Sequence, residues 1–298
     1  MVTVQKSYVD QGSRTSGILY LVATPIGNLE DMTFRAIRTL KEVDVIAAED
    51  TRQTRKLVTH FEIPTKLVSY HEHNKQSSGV ELIRLLLEGR SIAIVSDAGL
   101  PAISDPGADL VAEAVAQGIA VVPIPGANAA LSALIMSGLP TERFLFAGFP
   151  PRDNKTRLAW LEKLRKQEGT LMLYESPHRL RKTLQAMLEV LGNRRIAIIR
   201  ELTKRYEEAV RGTIEECMIR IEEHQPLGEY CLIIEGAESY TELREQYIEE
   251  AGDWWAELTL DAHVAHYEAA NLDRKEAIKK VAVERGLPKR DVYNAVNR

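Results

Sequence analysis

Cysteine is scarce: the 298 residues hold two, Cys217 and Cys231. That is too few for a disulfide framework or a cysteine-rich zinc site, so a reducing, cytoplasmic compartment is expected. No apolar run approaches the ~20 residues that cross a bilayer as a helix, and no membrane span is expected. The polar first 16 residues contain no apolar leader stretch, so export is not expected either. Several chemistry-bearing patterns are also missing. No G-x-G-x-x-G follows a strand-like run, which disfavours a nicotinamide-type site, and no P-loop is present. There is no G-x-S-x-G nucleophile turn. His71-Glu72-His73 is not a zinc-protease motif, because position 75 is Lys. No metal is expected, and His263 and His266, one helical turn apart, suit a helix surface.

What is present is an ordinary globular composition, 45% hydrophobic and 27% charged, with a net charge of −5. The charge is unevenly spread. Residues 152–211 carry 15 Lys/Arg against 8 Asp/Glu, and residues 274–298 carry 8 against 3, leaving −17 on the remainder. Two basic segments in an acidic chain can form a face that attracts phosphate.

Short Val/Ile/Leu/Ala runs alternate with helical patterns. Strands are predicted at 18–22, 43–48, 66–69, 91–95, 120–124 and 144–147, with helices at 33–41, 54–61, 80–87, 109–117 and 128–137. Continuous apolar strands separated by helices imply a mainly parallel sheet with both faces covered. Pro150 and Pro151 break the pattern. A second α/β block follows, with strands at 170–174, 196–201 and 230–234 and helices at 155–166, 180–191 and 214–224. The expected organisation is therefore a polar tail (1–16), an N-terminal α/β domain (17–149), a second α/β domain (150–236), an acidic linker (237–252) and a C-terminal helical domain (253–298). Asp273 is placed to cap a helix at 274–285, and Gly286 and Pro288 separate it from another at 289–297.

The unusual chemistry sits just after the strands. TPIGN (24–28), AEDTR (48–52), SDAGLPAISDPG (96–107), PIPGAN (123–128), YESPHR (174–179) and RELTK (200–204) are all polar turns, most of them shaped by Gly or Pro. Ligands of open α/β sheets bind beyond the carboxyl ends of the strands. Glycine steps let the backbone approach a ligand closely. Six such turns from both blocks predict a cleft between domains, with Asp97 and Asp105 offering carboxylates to a hydroxyl or ammonium.

Taken together in this order, the six motifs resemble the tetrapyrrole (precorrin-type) methylase superfamily, and within it the ribosomal RNA small subunit methyltransferase I group. The likeness covers about residues 17–236, and the helical tail is also similar. It differs at Leu100, where SDAGTP is the common form. The resemblance implies a homodimeric, two-domain α/β fold with S-adenosylmethionine in the cleft between domains, and methylation of a ribose 2′-hydroxyl, on a decoding-region cytidine of 16S rRNA. By motif, it implies cofactor contacts from Pro25, Asp97, Leu100, Asn128 and Ala129. From the second domain it implies Glu175, Leu202 or Thr203, and Cys231 or Leu232.

A sulfonium is already an activated methyl donor, so the main task is in-line placement of the acceptor oxygen. The alcohol must also lose a proton, and Glu49, Asp50, Glu201 and Lys204 are the candidate bases. Lys204 qualifies only if burial lowers its pKa. Arg52, Arg55, Arg152, Lys155, Arg157, Arg179, Arg181, Lys204 and Arg205 flank the expected cleft and would engage RNA phosphates. Two competing readings are a tetrapyrrole methyltransferase and a non-catalytic RNA-binding assembly factor. The basic segments favour RNA over a macrocycle, and the intact cofactor turns favour an enzyme over a scaffold.

Overall fold

A computed structural model describes residues 4–5, 16–103, 105, 107–223, 225–237, 255, 258–269 and 272–296. Most of the expected tail 1–16 and linker 237–252 lies outside these, as do Ser104, Pro106 and His224. The chain forms two compact units, residues 1–240 and 241–298.

The first unit contains two five-stranded sheets. Its first sheet uses β1 (Ile18–Val22), β2 (Val45–Ala48), β3 (Lys66–Ser69), β4 (Ile92–Val95) and β5 (Ala120–Ile124). Their order is β3-β2-β4-β1-β5, and every pairing is parallel. β2 and β4 are buried along their whole length, which explains their unbroken apolar sequences VIAA and IAIV. Successive side chains of a strand face opposite ways. Ile46 and Ala48 accordingly pack with Leu40 of α1 (Phe34–Glu42) and Val58 of α2 (Thr51–His60). Val45 and Ala47 pack with Leu82 and Leu86 of α3 (Lys75–Leu87) and Leu110 of α4 (Gly107–Ala116) on the other face.

α5 (Ala129–Ser137) follows β5 but packs elsewhere. Its Ala130, Ala133 and Leu134 lie against Met172, Ala197, Ile199, Cys231 and Ile233 of the second sheet. That sheet comprises β6 (Phe144–Gly148), β7 (Thr170–Glu175), β8 (Arg195–Arg200), β9 (Glu208–Thr213) and β10 (Tyr230–Ile234) in the order β6-β7-β10-β8-β9. β6 and β7 run parallel, and the other pairs are antiparallel. Its other face is covered by α6 (Asn154–Leu164), α7 (Leu180–Leu191) and α8 (Ile214–Glu222).

Two sequence expectations change here. The strand at 144–147, read as the last of the first block, pairs with β7 of the second sheet (Phe144↔Thr170). The chain therefore changes sheets before β6 rather than at Pro150 and Pro151. A strand's partner depends on distant backbone, which its local pattern does not encode. β9 was not expected at all. It is an edge strand with no fully buried residue, so EAVRGT carries no strong apolar signal.

The second unit is a helical cluster of α9 (Leu260–Ala269), α10 (Arg274–Glu284) and α11 (Lys289–Val296) around Val264, Ile278, Val281 and Val292. Asp273 caps α10 by accepting from the backbone N–H groups of Lys275 and Glu276. His263 is not on the surface: it is fully buried, with Nε2 2.9 Å from Glu284.

Candidate active site

Within the first unit, the carboxyl ends of β2, β4, β7 and β8, the amino end of the antiparallel β10 and the turn before α5 surround one cavity of ≈ 420 Å³. Pockets for small organic ligands span about 300–1,000 Å³. The floor is fixed by backbone. Thr24 and Gly99 exchange N–H···O hydrogen bonds at 2.9 and 3.0 Å, and Thr24 Oγ1 donates to Ser96 O at 3.1 Å. Gly99 has φ 82°, the left-handed region where glycine carries no Cβ penalty. Across from it, Asn128 caps α5 by accepting from Leu131 N–H at 2.8 Å, and Tyr174 Oη accepts from Ala130 N–H at 3.1 Å. One tyrosine of the second sheet thus holds the helix that follows the first.

The first-sheet side is acidic, with Glu49, Asp97 and Asp105 on the lining. Asp97 Oδ1 accepts from Asp50 N–H at 3.1 Å, locking the two turns together. Asp105 accepts from the N–H groups of Ala102 and Gly107, but burial outweighs them and raises its pKa. Glu49 has no hydrogen bond or ion pair to its carboxylate among the described residues. Its pKa is raised, first by partial burial, then by the charges of Asp97 and Asp105. The second-sheet side carries an apolar and aromatic wall of Phe149, Tyr174, Ile199, Leu202 and Cys231, with Glu175, Lys204 and Glu229 also on its lining. Burial pushes the Tyr174 hydroxyl and the Cys231 thiol up to about 12. Cys231 is thus an inert wall, not a nucleophile.

Of the residues expected at the cofactor, Asp97, Leu100, Asn128, Ala129, Glu175, Leu202 and Cys231 line the cavity; Pro25, Thr203 and Leu232 do not. The reason at β10 is strand alternation: Cys231 faces the cavity, so Leu232 faces the opposite core. Thr203 sits behind Lys204, and both crowd Gly27, where a Cβ would lie 2.4 Å from Lys204 Cγ. Glu175 is fully buried and committed to the protein. It accepts from Ser176 N–H (2.7 Å) and Thr183 Oγ1 (2.6 Å), and Arg179 lies 3.2 Å away. Ile26, Phe149, Tyr174, Glu229 and Tyr230 also line the cavity and were not singled out from sequence. All but Ile26 and Tyr174 lie outside the six motifs, and nothing local marks them.

The four candidate bases separate clearly. Asp50 caps α2 through Arg52 N–H (2.8 Å) and pairs with the Arg52 guanidinium (2.7 Å), which holds it down at about 2. Glu201 accepts from Lys204 Nζ and Glu229 N–H, and its pKa is lowered: burial opposes this, but those bonds prevail. Lys204 does not meet its condition, a pKa lowered by burial. Burial works against its ammonium, but bonds to Glu229 and Glu201, both 2.9 Å, raise its pKa overall. Only Glu49 combines a cavity position, no partner among the described residues and a raised pKa.

Two of the arginines expected on RNA are spent inside the protein. Arg157 is only 4% exposed and donates to Asn154 Oδ1 (2.6 Å) and Arg152 O. Arg179 donates to Pro150 O and pairs with Glu175. Arg52, Arg55, Arg152, Lys155, Arg181 and Arg205 are exposed.

Residues 18–217 match the sequence model of the Tetrapyrrole (Corrin/Porphyrin) Methylases. The chain is 59% identical over 290 residues to the Ribosomal RNA small subunit methyltransferase I of Halalkalibacterium halodurans, covering 97% of each chain. It is 56% identical to the Bacillus subtilis protein of the same name, covering 95% of each. Among solved structures, uroporphyrin-III-C-methyltransferase from Thermus thermophilus shares the fold at TM-score 0.53 and 22% identity, over 76% of this chain and 98% of that one. Diphthine synthase does so at TM-score 0.56 and 14% identity, over 77% and 95%.

Proposed function

Because the chain belongs to the tetrapyrrole (corrin/porphyrin) methylase family, and within it to the ribosomal RNA small subunit methyltransferase I group, we propose that it methylates 16S rRNA of the small ribosomal subunit. The methyl comes from S-adenosylmethionine, and the acceptor is the 2′-hydroxyl of a decoding-region cytidine.

The observation that carries this reading is the two-sided cavity. Three carboxylates on one side suit a ligand that bears a sulfonium and an ammonium. The aromatic and aliphatic wall opposite suits a purine. The residues on the lining therefore fit the group. Asp97, with the backbone of Gly99 and Leu100, would hold the cationic end. Asn128, Ala129, Leu202 and Cys231 would hold the nucleoside. When bound, S-adenosylmethionine supplies an electrophilic methyl. Glu49 then removes the proton of the acceptor hydroxyl, a contribution of roughly 10²–10⁴-fold in rate. Its raised pKa makes it a stronger base than an ordinary carboxylate. Lys204, kept charged by Glu201 and Glu229, stiffens the 200–204 turn and screens the acidic rim. Arg52, Arg55, Arg152, Lys155, Arg181 and Arg205 supply phosphate contacts that position RNA without reading its sequence.

No helix of the described residues is long and apolar enough to cross a membrane. We read the protein as a cytoplasmic homodimer. Phe34 and Ile135, 93% and 79% exposed, are candidates for the contact between copies. The test is transfer of labelled methyl to small subunits that lack this modification, followed by mapping of the nucleotide. Label on one ribose of 16S rRNA supports the reading. Label on a tetrapyrrole and none on rRNA overturns it.

A further inference from the structure

We propose that His71 is a positioning residue for Glu49: it steers the carboxylate toward the acceptor hydroxyl and receives the proton that Glu49 removes. The inference rests on Glu49 being the base of the reaction proposed above.

β2 and β3 are parallel neighbours in the register Ala48↔Ser69, and Tyr70 N–H donates to Ala48 O at 2.8 Å. The two strands leave the sheet side by side, so Glu49 and His71 arrive at the same edge. The turn that carries His71 is fixed. His71 N–H donates to Asn74 Oδ1 at 2.7 Å, and Asn74 Nδ2 donates to Ser69 O and Ser69 Oγ, each at 3.1 Å. The imidazole Nδ1 is buried and has no hydrogen-bond partner among the described residues. A buried polar nitrogen left unpaired is costly, and such an exception calls for a function. The Glu49 carboxylate is exposed and has no hydrogen-bond partner among the described residues. Around Glu49, partial burial, Asp97 and Asp105 from the loop after β4 and the adjacent Asp50 oppose ionisation, whereas His71 favours it once the imidazole holds a proton. Around His71, the His73 ring lies 6.0 Å away, and Lys75 is occupied by Glu72 (2.9 Å) and Asp109 (2.7 Å). His71 thus leaves β3 at the edge where Glu49 leaves β2, with a buried ring nitrogen that has no partner among the described residues.

In the step, the ribose oxygen gains its bond to the methyl carbon as its proton passes to Glu49. The electron pair of the broken carbon–sulfur bond stays on sulfur. Loss of the sulfonium charge balances loss of the carboxylate charge. Glu49 then passes the proton to His71, which is partly exposed and releases it to water.

The test uses the full chain and three variants. In the protein without cofactor, carbon-13 NMR of the Glu49 carboxyl should titrate at higher pH in His71→Asn than in the wild type. With small subunits as acceptor, His71→Asn should lower kcat at least tenfold and move the acidic limb of the pH profile upward. Its affinity for S-adenosylmethionine should stay within twofold. Imidazole in the buffer should restore part of the rate of His71→Ala. An unmoved Glu49 titration, or a rate loss matched by weaker cofactor affinity with no imidazole rescue, overturns the proposal. Glu49→Gln separates the levels. If it keeps the wild-type rate, Glu49 is not the base and both readings fall. If it is inactive while His71→Asn behaves as wild type, only the role of His71 falls.

Discussion

At the scale of single residues, position relative to neighbouring charge decides chemistry more than residue type does. Glu49 and Asp50 are adjacent carboxylates with opposite fates. Asp50 is consumed by a helix N-terminus and an arginine, whereas Glu49 is left beside two other carboxylates. Because the pKa of Asp50 is depressed to about 2, its contribution to stability is present above the unfolded value of about 4 and is lost as pH falls toward 2. Thermal unfolding of Asp50→Asn should therefore differ from wild type at pH 5 and converge with it near pH 2. With Glu49 as the proposed base, its raised pKa predicts an effect on rate: the acidic limb of kcat/KM should be shifted upward from that of an ordinary carboxylate, and Glu49→Gln should lose roughly 10²-fold or more. Asp97→Ala should weaken S-adenosylmethionine binding at least tenfold by calorimetry. It removes a cavity carboxylate and also the acceptor that ties the 96–107 turn to Asp50 N–H. Unchanged affinity would remove Asp97 from the site.

At the scale of elements, α5 matters most. It leaves the first sheet, packs its Ala130, Ala133 and Leu134 on the second, and presents Asn128 and Ala129 to the cavity from its N-terminus. Leu134, 2% exposed, should cost about 2–5 kcal/mol when cut to alanine. Cofactor affinity should fall with it, because the packed face fixes the turn that lines the cavity. Asn128→Ala should cost about 1 kcal/mol from the missing cap. Calorimetry should then show a drop in affinity larger than that stability change alone produces. Which elements exist was largely legible beforehand, because buried parallel strands are written as unbroken apolar runs. The partner of β6 and the existence of β9 were not. An edge strand needs few apolar residues, and pairing is a long-range choice.

At the scale of the whole molecule, an acidic protein carries its excess positive charge in two stretches. Arg52, Arg55, Arg152, Lys155, Arg181 and Arg205 remain exposed in the first unit, whereas Arg157 and Arg179 are withdrawn into packing. Reversing Arg152 and Lys155 to glutamate should weaken binding to rRNA. It should also flatten the dependence of log affinity on log salt by about 0.7–0.9 for each phosphate that is no longer neutralised. Filter binding across a salt series reads both, and an unaltered slope would take this face out of the RNA interface. The same substitution at Arg157 should instead lower stability, since its guanidinium bonds to Asn154 and Arg152 inside the fold.

The chain's class, its alternation of strands and helices, and the six turns that carry chemistry follow from local pattern. Apolar periodicity and Gly/Pro placement act over a few residues and are visible in them. Which cations face water, which carboxylate stays unpaired, and which of Leu202 and Thr203 or Cys231 and Leu232 borders the cavity emerged only in three dimensions. Each depends on strand register and on partners tens of residues away, so the electrostatic environment behind the proposed role of Glu49 is a property of the assembled sheet edge.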